Sequence, residues 1–277
     1  MSSTASLGRR AAAEFVGTGA LVAVVVGSGI QASRLSEDVG VQLLANAVAT
    51  VFGLGVLIAL LGPVSGAHFN PVVTLASWAT GRRSGDRAGP HAREVAAYLP
   101  AQIAGAALGA VLADAMFAEP LLRWSTQERS APHLWLGEVV ATSGLVLLVL
   151  GLNRAGRAHL APVAVAAYIG SAYWFTSSTS FANPAVTAGR ALTDTFAGIA
   201  PGSVPMFVVA QLGGLIAGLA LFVLLFGRRA AASGSAAAAA GESAAVPGPA
   251  PEPAVPSAPA PVPVPASPPA REGSARP

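Results

Sequence analysis

Two short segments contain the residue combinations with the clearest chemical potential, because each places asparagine directly before proline. They are Asn70-Pro71-Val72 and Asn183-Pro184-Ala185. Asparagine is a favoured helix N-cap, and proline suits the first helical turn because its missing N–H costs nothing there. We predict that each motif begins a helix of about ten residues, roughly 15 Å long. Each asparagine amide, oriented by its cap, is then available to donate a hydrogen bond to a passing oxygen atom.

Other chemistry finds little support in the residue types. Cysteine is absent, which excludes disulfides and thiolate ligands. No nucleophile elbow or phosphate loop occurs. The four histidines are scattered and lack metal-ligand spacing: His68, His91, His133 and His159. We therefore predict that the chain is not an enzyme and uses neither a metal nor another cofactor.

The composition indicates a protein embedded in a lipid bilayer. Of 277 residues, 53% are hydrophobic and 10% are charged, against about 25% charged in ordinary soluble domains. A spanning helix needs about 20 apolar residues, and six stretches qualify. They lie near 11–33, 41–61, 93–116, 134–152, 160–177 and 205–226. The predicted fold is an all-α membrane protein with six transmembrane helices and two re-entrant half-helices.

The positive charges indicate the orientation of the chain. All 16 basic residues are arginine. They cluster at both ends of the apolar region and in alternate loops, which predicts cytoplasmic N- and C-termini by the positive-inside rule. Because they form no continuous stripe, nucleic-acid binding is not predicted. Residues 1–10 form a predicted cytoplasmic N-terminus, and the Ala- and Pro-rich segment 230–277 a predicted disordered cytoplasmic tail.

The region between these ends, 11–229, is predicted to be one channel domain made of two related halves, about 11–116 and 134–226. Matching residues recur in the same order along both halves. The matched pairs are Glu14 with Glu138, Asn70 with Asn183, Gln102 with Gln211, Gly105 with Gly214, and Gly109 with Gly218. Because each half has three spans, the second copy must be inverted. Such folds place their functional site at the midplane, where broken helices meet.

Two half-helix N-termini meeting at the midplane would each carry about half a positive charge. That arrangement repels cations, and half-helix dipoles are an established barrier to protons in pores. Irregular backbone at this depth is tolerated where it lines a wet cavity. Considered alone, the intramembrane carboxylates Glu14 and Glu138 would suggest a proton relay.

The paired motifs, the inverted repeat and the segment Ser65-Gly66-Ala67-His68-Phe69 resemble the major intrinsic protein family of aquaporins and aquaglyceroporins, over roughly residues 10–227. The resemblance implies a homotetramer with one pore per subunit, located in the plasma membrane, here the bacterial inner membrane. It also implies that Glu14 and Glu138 brace the re-entrant loops through hydrogen bonds.

The sequence departs from the family pattern at two places. Val72 stands where the family usually has alanine. Val186 follows the second motif where the family usually has the arginine of its outer selectivity filter. The remaining filter positions are predicted at Thr50, Ser171 and Ser180, with Phe52 as the alternative to Thr50.

Arg190 lies one helical turn beyond Val186 on the same face. Two roles stay open for it: restoring positive charge beyond the filter, or forming an ion pair with Asp194.

A small, uncharged filter favours passive conduction of small neutral solutes. The absence of the arginine is similar to a bacterial subgroup associated with arsenic resistance. We therefore expect passage of glycerol-like polyols, metalloid hydroxides such as arsenous acid, and water. A water-selective aquaporin is the main alternative, and a secondary transporter or an ion channel is less favoured.

Overall fold

The computed structural model describes residues 5–83 and 89–227, and within them an all-helical chain. The predicted tail, 230–277, and the first residues of the N-terminal segment lie outside the described residues. The eight α-helices have these bounds: α1 Leu7–Leu35, α2 Val39–Ser65, α3 Pro71–Arg83, α4 Ala92–Met116, α5 Pro132–Arg154, α6 Ala161–Phe175, α7 Pro184–Arg190 and α8 Val204–Phe226.

Six of these helices are the predicted membrane spans, and α3 and α7 are the predicted half-helices. By length and composition, α1, α2, α4, α5 and the segment Pro201–Phe226 can each cross a membrane. The fifth predicted span is shorter, because α6 has 15 residues and a 3-10 turn, Ala158–Leu160, precedes it. The half-helices are unequal, with 13 residues in α3 and 7 in α7.

Local sequence signals explain where the helices begin and end. Asp38 caps α2 by accepting a hydrogen bond from the Val41 N–H at 3.0 Å. Proline occupies the first turn of α5 and of α7, where no N–H is needed. Gly66 ends α2 with φ 92°, a left-handed conformation that costs glycine little. The chain can therefore leave α2 abruptly and enter the first re-entrant loop.

The two halves pack in the same way. Within the first half α1 packs mainly on α4, and within the second half α5 packs mainly on α8. Glycine permits both approaches: a Cβ at Gly105 would collide with the Phe15 carbonyl oxygen, and one at Gly214 would lie 2.8 Å from the Val139 carbonyl oxygen. Small residues at such crossings let helix backbones approach closely in membranes. The observed architecture is the predicted inverted repeat, with α3 and α7 in contact between the halves.

Candidate pore and selectivity filter

The two half-helices meet through a reciprocal pair of hydrogen bonds between their asparagines and the opposite loops. The Asn70 amide donates to the Ala182 carbonyl oxygen at 2.8 Å, and the Asn183 amide donates to the Phe69 carbonyl oxygen at 2.7 Å. Both asparagines are buried, with 5% of their surface exposed. A side-chain amide has two N–H donors, so each asparagine retains one that is not used in this bond.

The asparagine carbonyl oxygens cap the half-helices as the sequence predicts. Asn70 Oδ1 accepts from the Val72 N–H at 3.0 Å. Asn183 Oδ1 accepts from the Ala185 N–H at 3.0 Å and the Val186 N–H at 3.2 Å. With the oxygen tied to the helix and one amide N–H tied to the opposite loop, neither side chain can rotate freely. The remaining donor of each asparagine is therefore held in a fixed direction.

The loops before the two asparagines share an unusual backbone conformation. Ala67 and Phe69 have φ values of 49°, and Ser180 and Ala182 have φ values of 53° and 45°. Left-handed conformations are uncommon for non-glycine residues and persist only where surrounding contacts enforce them. These four residues occupy matching positions, three and one residues before their asparagine. The contacts that enforce them are centred on two buried glutamates.

Glu14 is fully buried and accepts hydrogen bonds from both sides of the first loop. Its carboxylate receives the His68 N–H at 3.0 Å and the Phe69 N–H at 2.7 Å. It also receives the Ser65 hydroxyl at 2.6 Å and the Gln102 amide at 2.8 Å. Because four donors surround it, the carboxylate is stabilised without a cation.

Glu138 does the same for the second loop. Its carboxylate receives the Phe181 N–H at 2.9 Å, the Ala182 N–H at 2.7 Å and the Gln211 amide at 2.7 Å. Each glutamine also donates to a half-helix threonine, Gln102 to Thr74 at 3.0 Å and Gln211 to Thr187 at 2.9 Å. The two glutamates therefore accept hydrogen bonds from the loops that they are predicted to brace.

A cavity of about 1250 Å³ runs past the asparagine junction. This volume lies above the roughly 300–1,000 Å³ of usual ligand pockets. At one end, the termini-side mouth, the lining includes Asn153, Arg154, His159 and Gly227. At the other end, the filter-side mouth, the lining includes Thr50, Tyr173, Ser180, Val186 and Arg190.

Three of the four predicted filter residues line the cavity. They are Thr50, Ser180 and Val186. The alternative to Thr50 is wrong, because Phe52 lies on the outer surface with 70% of its area exposed. The prediction for Ser171 is also wrong: it lies on the exposed face of α6 and is not among the cavity-lining residues.

Tyr173 contributes the α6 side chain to the filter-side mouth instead of Ser171. It is buried and lines the cavity, and its hydroxyl lies 3.1 Å from the Thr50 hydroxyl. The predicted filter position in α6 differs by two residues from the observed one. The reason is that the length of the loop between the end of α6 and the second motif cannot be read from the motifs. The pairing of α2 with α6 fixes the correct face.

The third residue of each motif is buried. Val72 has no exposed surface and does not line the cavity, and it belongs to a hydrophobic cluster with Ala76 and Val146. The same is true of Ala185, which is fully buried and does not line the cavity. The substitution of valine for alanine therefore changes packing behind the pore rather than the pore wall.

Arg190 does not form the predicted ion pair with Asp194. The Asp194 carboxylate instead accepts from the Thr126 N–H at 2.8 Å and lies 3.3 Å from the Arg123 guanidinium. Arg190 is buried, lines the cavity, and donates from Nε to the Ala197 carbonyl oxygen. The sequence signal for this placement was its spacing from Val186, but spacing alone could not choose between the two roles.

The fold and its central cavity define a helical membrane channel, in which two inverted half-helices form the narrow centre. Among the described residues no group of three potential metal ligands occurs. The model of the family described as "Major intrinsic protein" matches residues 1–181. The chain belongs to the major intrinsic protein family.

Relatives with known names agree with this assignment. The chain is 50% identical over 215 residues to aquaglyceroporin AqpS of Rhizobium meliloti, covering 78% of this chain and 89% of that protein. It is 30% identical to the propanediol uptake facilitator PduF of Citrobacter freundii, covering 80% of this chain and 94% of that one. An X-ray structure of the aquaglyceroporin from Plasmodium falciparum matches with a TM-score of 0.57 at 20% identity, over 80% of this chain and 96% of that one, which establishes a shared fold.

Proposed function

We propose that this protein is a passive channel for small neutral solutes, including glycerol and water. The observation that carries the proposal is the reciprocal asparagine junction beside a continuous cavity. The two remaining amide donors can each bind a solute oxygen, while the facing half-helix N-termini oppose cations. A neutral molecule bearing hydroxyl groups satisfies the donors without meeting the charge barrier.

The filter-side mouth favours molecules larger than water. Val186 presents methyl groups at the position where the family usually carries an arginine side chain. The paired hydroxyls of Thr50 and Tyr173 line the same mouth and supply polar contacts. A polyol has both hydroxyl groups and a hydrocarbon backbone, so a wall with one polar and one apolar side matches it.

The surroundings of the two buried glutamates argue against a proton-coupled mechanism. Glu14 and Glu138 each accept several hydrogen bonds and are not among the residues that line the cavity. A relay carboxylate must reach solute or water, whereas these two hold the loops. Conduction is therefore passive and involves no chemical change of the solute.

The proposal also covers further solutes, the oligomeric state and the orientation in the membrane. Metalloid hydroxides such as arsenous acid are included, because they are neutral at pH 7 and present hydroxyl groups at a spacing similar to that of glycerol. The channel acts as a homotetramer in the bacterial inner membrane with both termini in the cytoplasm. In this orientation the filter-side mouth opens to the outside.

Stopped-flow permeability of proteoliposomes tests the proposal with three solutes: water, glycerol and arsenous acid. The wild-type protein should conduct all three, and Val186→Arg should suppress the two larger solutes more than water, because it narrows the mouth and adds charge. Fast water flux without glycerol or arsenous acid flux in the wild-type protein would contradict the substrate assignment.

A further inference from the structure

Arg190 is a buried cation without an acidic partner. Only 5% of its surface is exposed, yet in residues 5–83 and 89–227 no carboxylate oxygen lies within 4 Å of its guanidinium. Buried charges are ordinarily paired, because removing an ion from water is costly. The missing partner indicates that this charge is kept for interaction with whatever passes through the cavity.

Two contacts fix the orientation of the guanidinium. Its Nε donates to the Ala197 carbonyl oxygen. Its plane lies over the Phe181 ring, with 3.4 Å between the guanidinium carbon and the ring centroid. Arginine often stacks on an aromatic face in this way, and its planar fork is then preorganised. Phe181 is itself held edge-on against Phe207, with ring centroids 5.2 Å apart.

These contacts leave the two terminal nitrogens of Arg190 available. Among the described residues, the guanidinium of Arg190 forms one hydrogen bond, the one donated by Nε. Arg190 is one of the residues that line the cavity. Ser180, on the same mouth, also has a hydroxyl with no partner among the described residues. Two residues of the filter-side mouth, from α7 and from the loop before it, therefore have polar groups without hydrogen-bond partners among the described residues.

We propose that Arg190 is the selectivity arginine of this channel, acting one helical turn beyond the position that Val186 occupies. Its terminal nitrogens donate to hydroxyl or oxo oxygens of a neutral solute at the filter-side mouth, and its charge adds to the barrier against protons and metal cations. This inference rests on the proposed function, because it assumes that neutral hydroxylated solutes pass.

The displacement separates two properties that one side chain usually sets together. At a rise of 1.5 Å per residue, the Cα atom of Arg190 lies about 6 Å along α7 from that of Val186. The side chain directly after the second motif is therefore a small valine, and the positive charge comes from a residue four positions later. Such a filter can admit wide neutral solutes and still exclude cations.

The test compares Arg190→Met, which keeps an unbranched side chain without charge, with Arg190→Lys, which keeps the charge. Arg123→Gln is the matched control, since that arginine is exposed and outside the cavity. Proteoliposomes are assayed for water, glycerol and proton flux. Arg190→Met should raise proton flux about tenfold, the scale expected when a unit charge near the path is removed. It should also lower the glycerol-to-water ratio, whereas Arg190→Lys and Arg123→Gln should keep proton exclusion.

A charge-relocated variant, Val186→Arg with Arg190→Val, guards against a purely structural explanation. It should conduct water, exclude protons and reject glycerol, because the same charge now narrows the filter. The inference is overturned if Arg190→Met conducts water and glycerol at wild-type rates with no increase in proton flux. It is also overturned if the relocated variant conducts water but leaks protons as Arg190→Met does. A wild-type protein that conducts no glycerol refutes the proposed function instead, which is a distinguishable result.

Discussion

Glu14 and Glu138 stand at equivalent positions in the two halves of the channel, and their hydrogen bonds can be compared atom by atom. Each accepts two consecutive backbone N–H groups from the loop before an asparagine, together with one glutamine amide. In both halves a serine five residues before the asparagine accepts the N–H two residues later, at 3.1 Å for Ser65 and 3.3 Å for Ser178. The hydrogen bonds around the two glutamates are therefore almost the same in the two inverted halves.

The side chains around the braces differ between the halves. In the first half His68 packs edge-on against Tyr98, and in the second half Phe181 packs edge-on against Phe207. The position equivalent to Arg190, 113 residues earlier, is Ser77, which also lines the cavity. The glutamates and glutamines that hydrogen-bond the loops are shared by the two halves, whereas the equivalent cavity-lining positions Ser77 and Arg190 differ. We therefore expect selectivity to reside where the repeat symmetry is broken.

The largest expected effect comes from removing a brace, and it should be equal in the two halves. Glu14→Ala and Glu138→Ala each leave two buried backbone donors unpaired, at about 1–3 kcal/mol for each donor. Chemical or thermal unfolding of the purified protein in detergent measures the loss. Glu119→Ala is the control, because that ion pair with Arg34 is partly exposed and worth about 0–1 kcal/mol. A severe loss in one half alone would break the equivalence.

Alanine substitutions at equivalent helix-crossing glycines should destabilise the two halves by different amounts, although the sequence has glycine at both positions. A Cβ at Gly109 would collide with the Gly19 carbonyl oxygen, whereas one at Gly218 would lie 2.8 Å from the Ser143 carbonyl oxygen. Gly109→Ala should cost more than Gly218→Ala, with overpacking costs of about 1–3 kcal/mol. Unfolding midpoints in detergent give the order.

The matched control for this packing test is Gly213→Ala, next to the crossing. A Cβ there meets Val139 at 3.8 Å, an ordinary contact, so the unfolding midpoint should hardly change. Equal losses for Gly109→Ala and Gly218→Ala would show that the two crossings are alike.

Converting the first half toward the second should have a smaller effect. His68→Phe removes the hydrogen bond between Nδ1 and the Thr74 hydroxyl, 3.0 Å long, and keeps an aromatic ring against Tyr98. The expected loss is about 0.5–1.5 kcal/mol in the free energy of unfolding. The glycerol-to-water permeability ratio should stay at its wild-type value, because His68 is not one of the residues of the filter-side mouth. A changed ratio would place selectivity at His68 as well.

The smallest expected effect concerns acid and the loop after α7. The backbone N–H of Thr126, with help from its hydroxyl, lowers the pKa of Asp194 below its ordinary value. A lowered folded-state pKa means that the stabilisation is present at neutral pH and is lost as the pH falls through that pKa. Protease cleavage near Thr126 should therefore increase in the wild-type protein below about pH 4. Asp194→Asn, compared at each pH, should show no such increase.

The sequence predicted the parts of the molecule that depend on periodicity and on the repeat. Apolar length predicts the six spans within a few residues, and the repeat predicts that Glu14 and Glu138 occupy equivalent positions. The bonding roles of Gln102 and Gln211 were missed, although their equal spacing was the available signal. Ser171 was misplaced because the face of α6 depends on its contacts with α2, which the chain order does not encode.

Arg190 illustrates the second limit. Its helical spacing from Val186 was visible, but its partner depended on where the long loop placed Asp194 and Arg123. Loop paths are set by tertiary contacts, such as the hydrogen bond from the Ala200 N–H to the Gln127 carbonyl oxygen, 2.8 Å long. The two alternatives could therefore be separated only by the coordinates.

The most direct test of the central claim changes the two equivalent mouth positions in parallel. Arg190→Met and Ser77→Ala are each reconstituted, and the glycerol-to-water permeability ratio is measured together with proton flux. We predict that Arg190→Met changes both quantities and that Ser77→Ala changes neither. Equal changes in the two variants, or no change in either, would contradict the claim that selectivity lies at the broken symmetry of the second half.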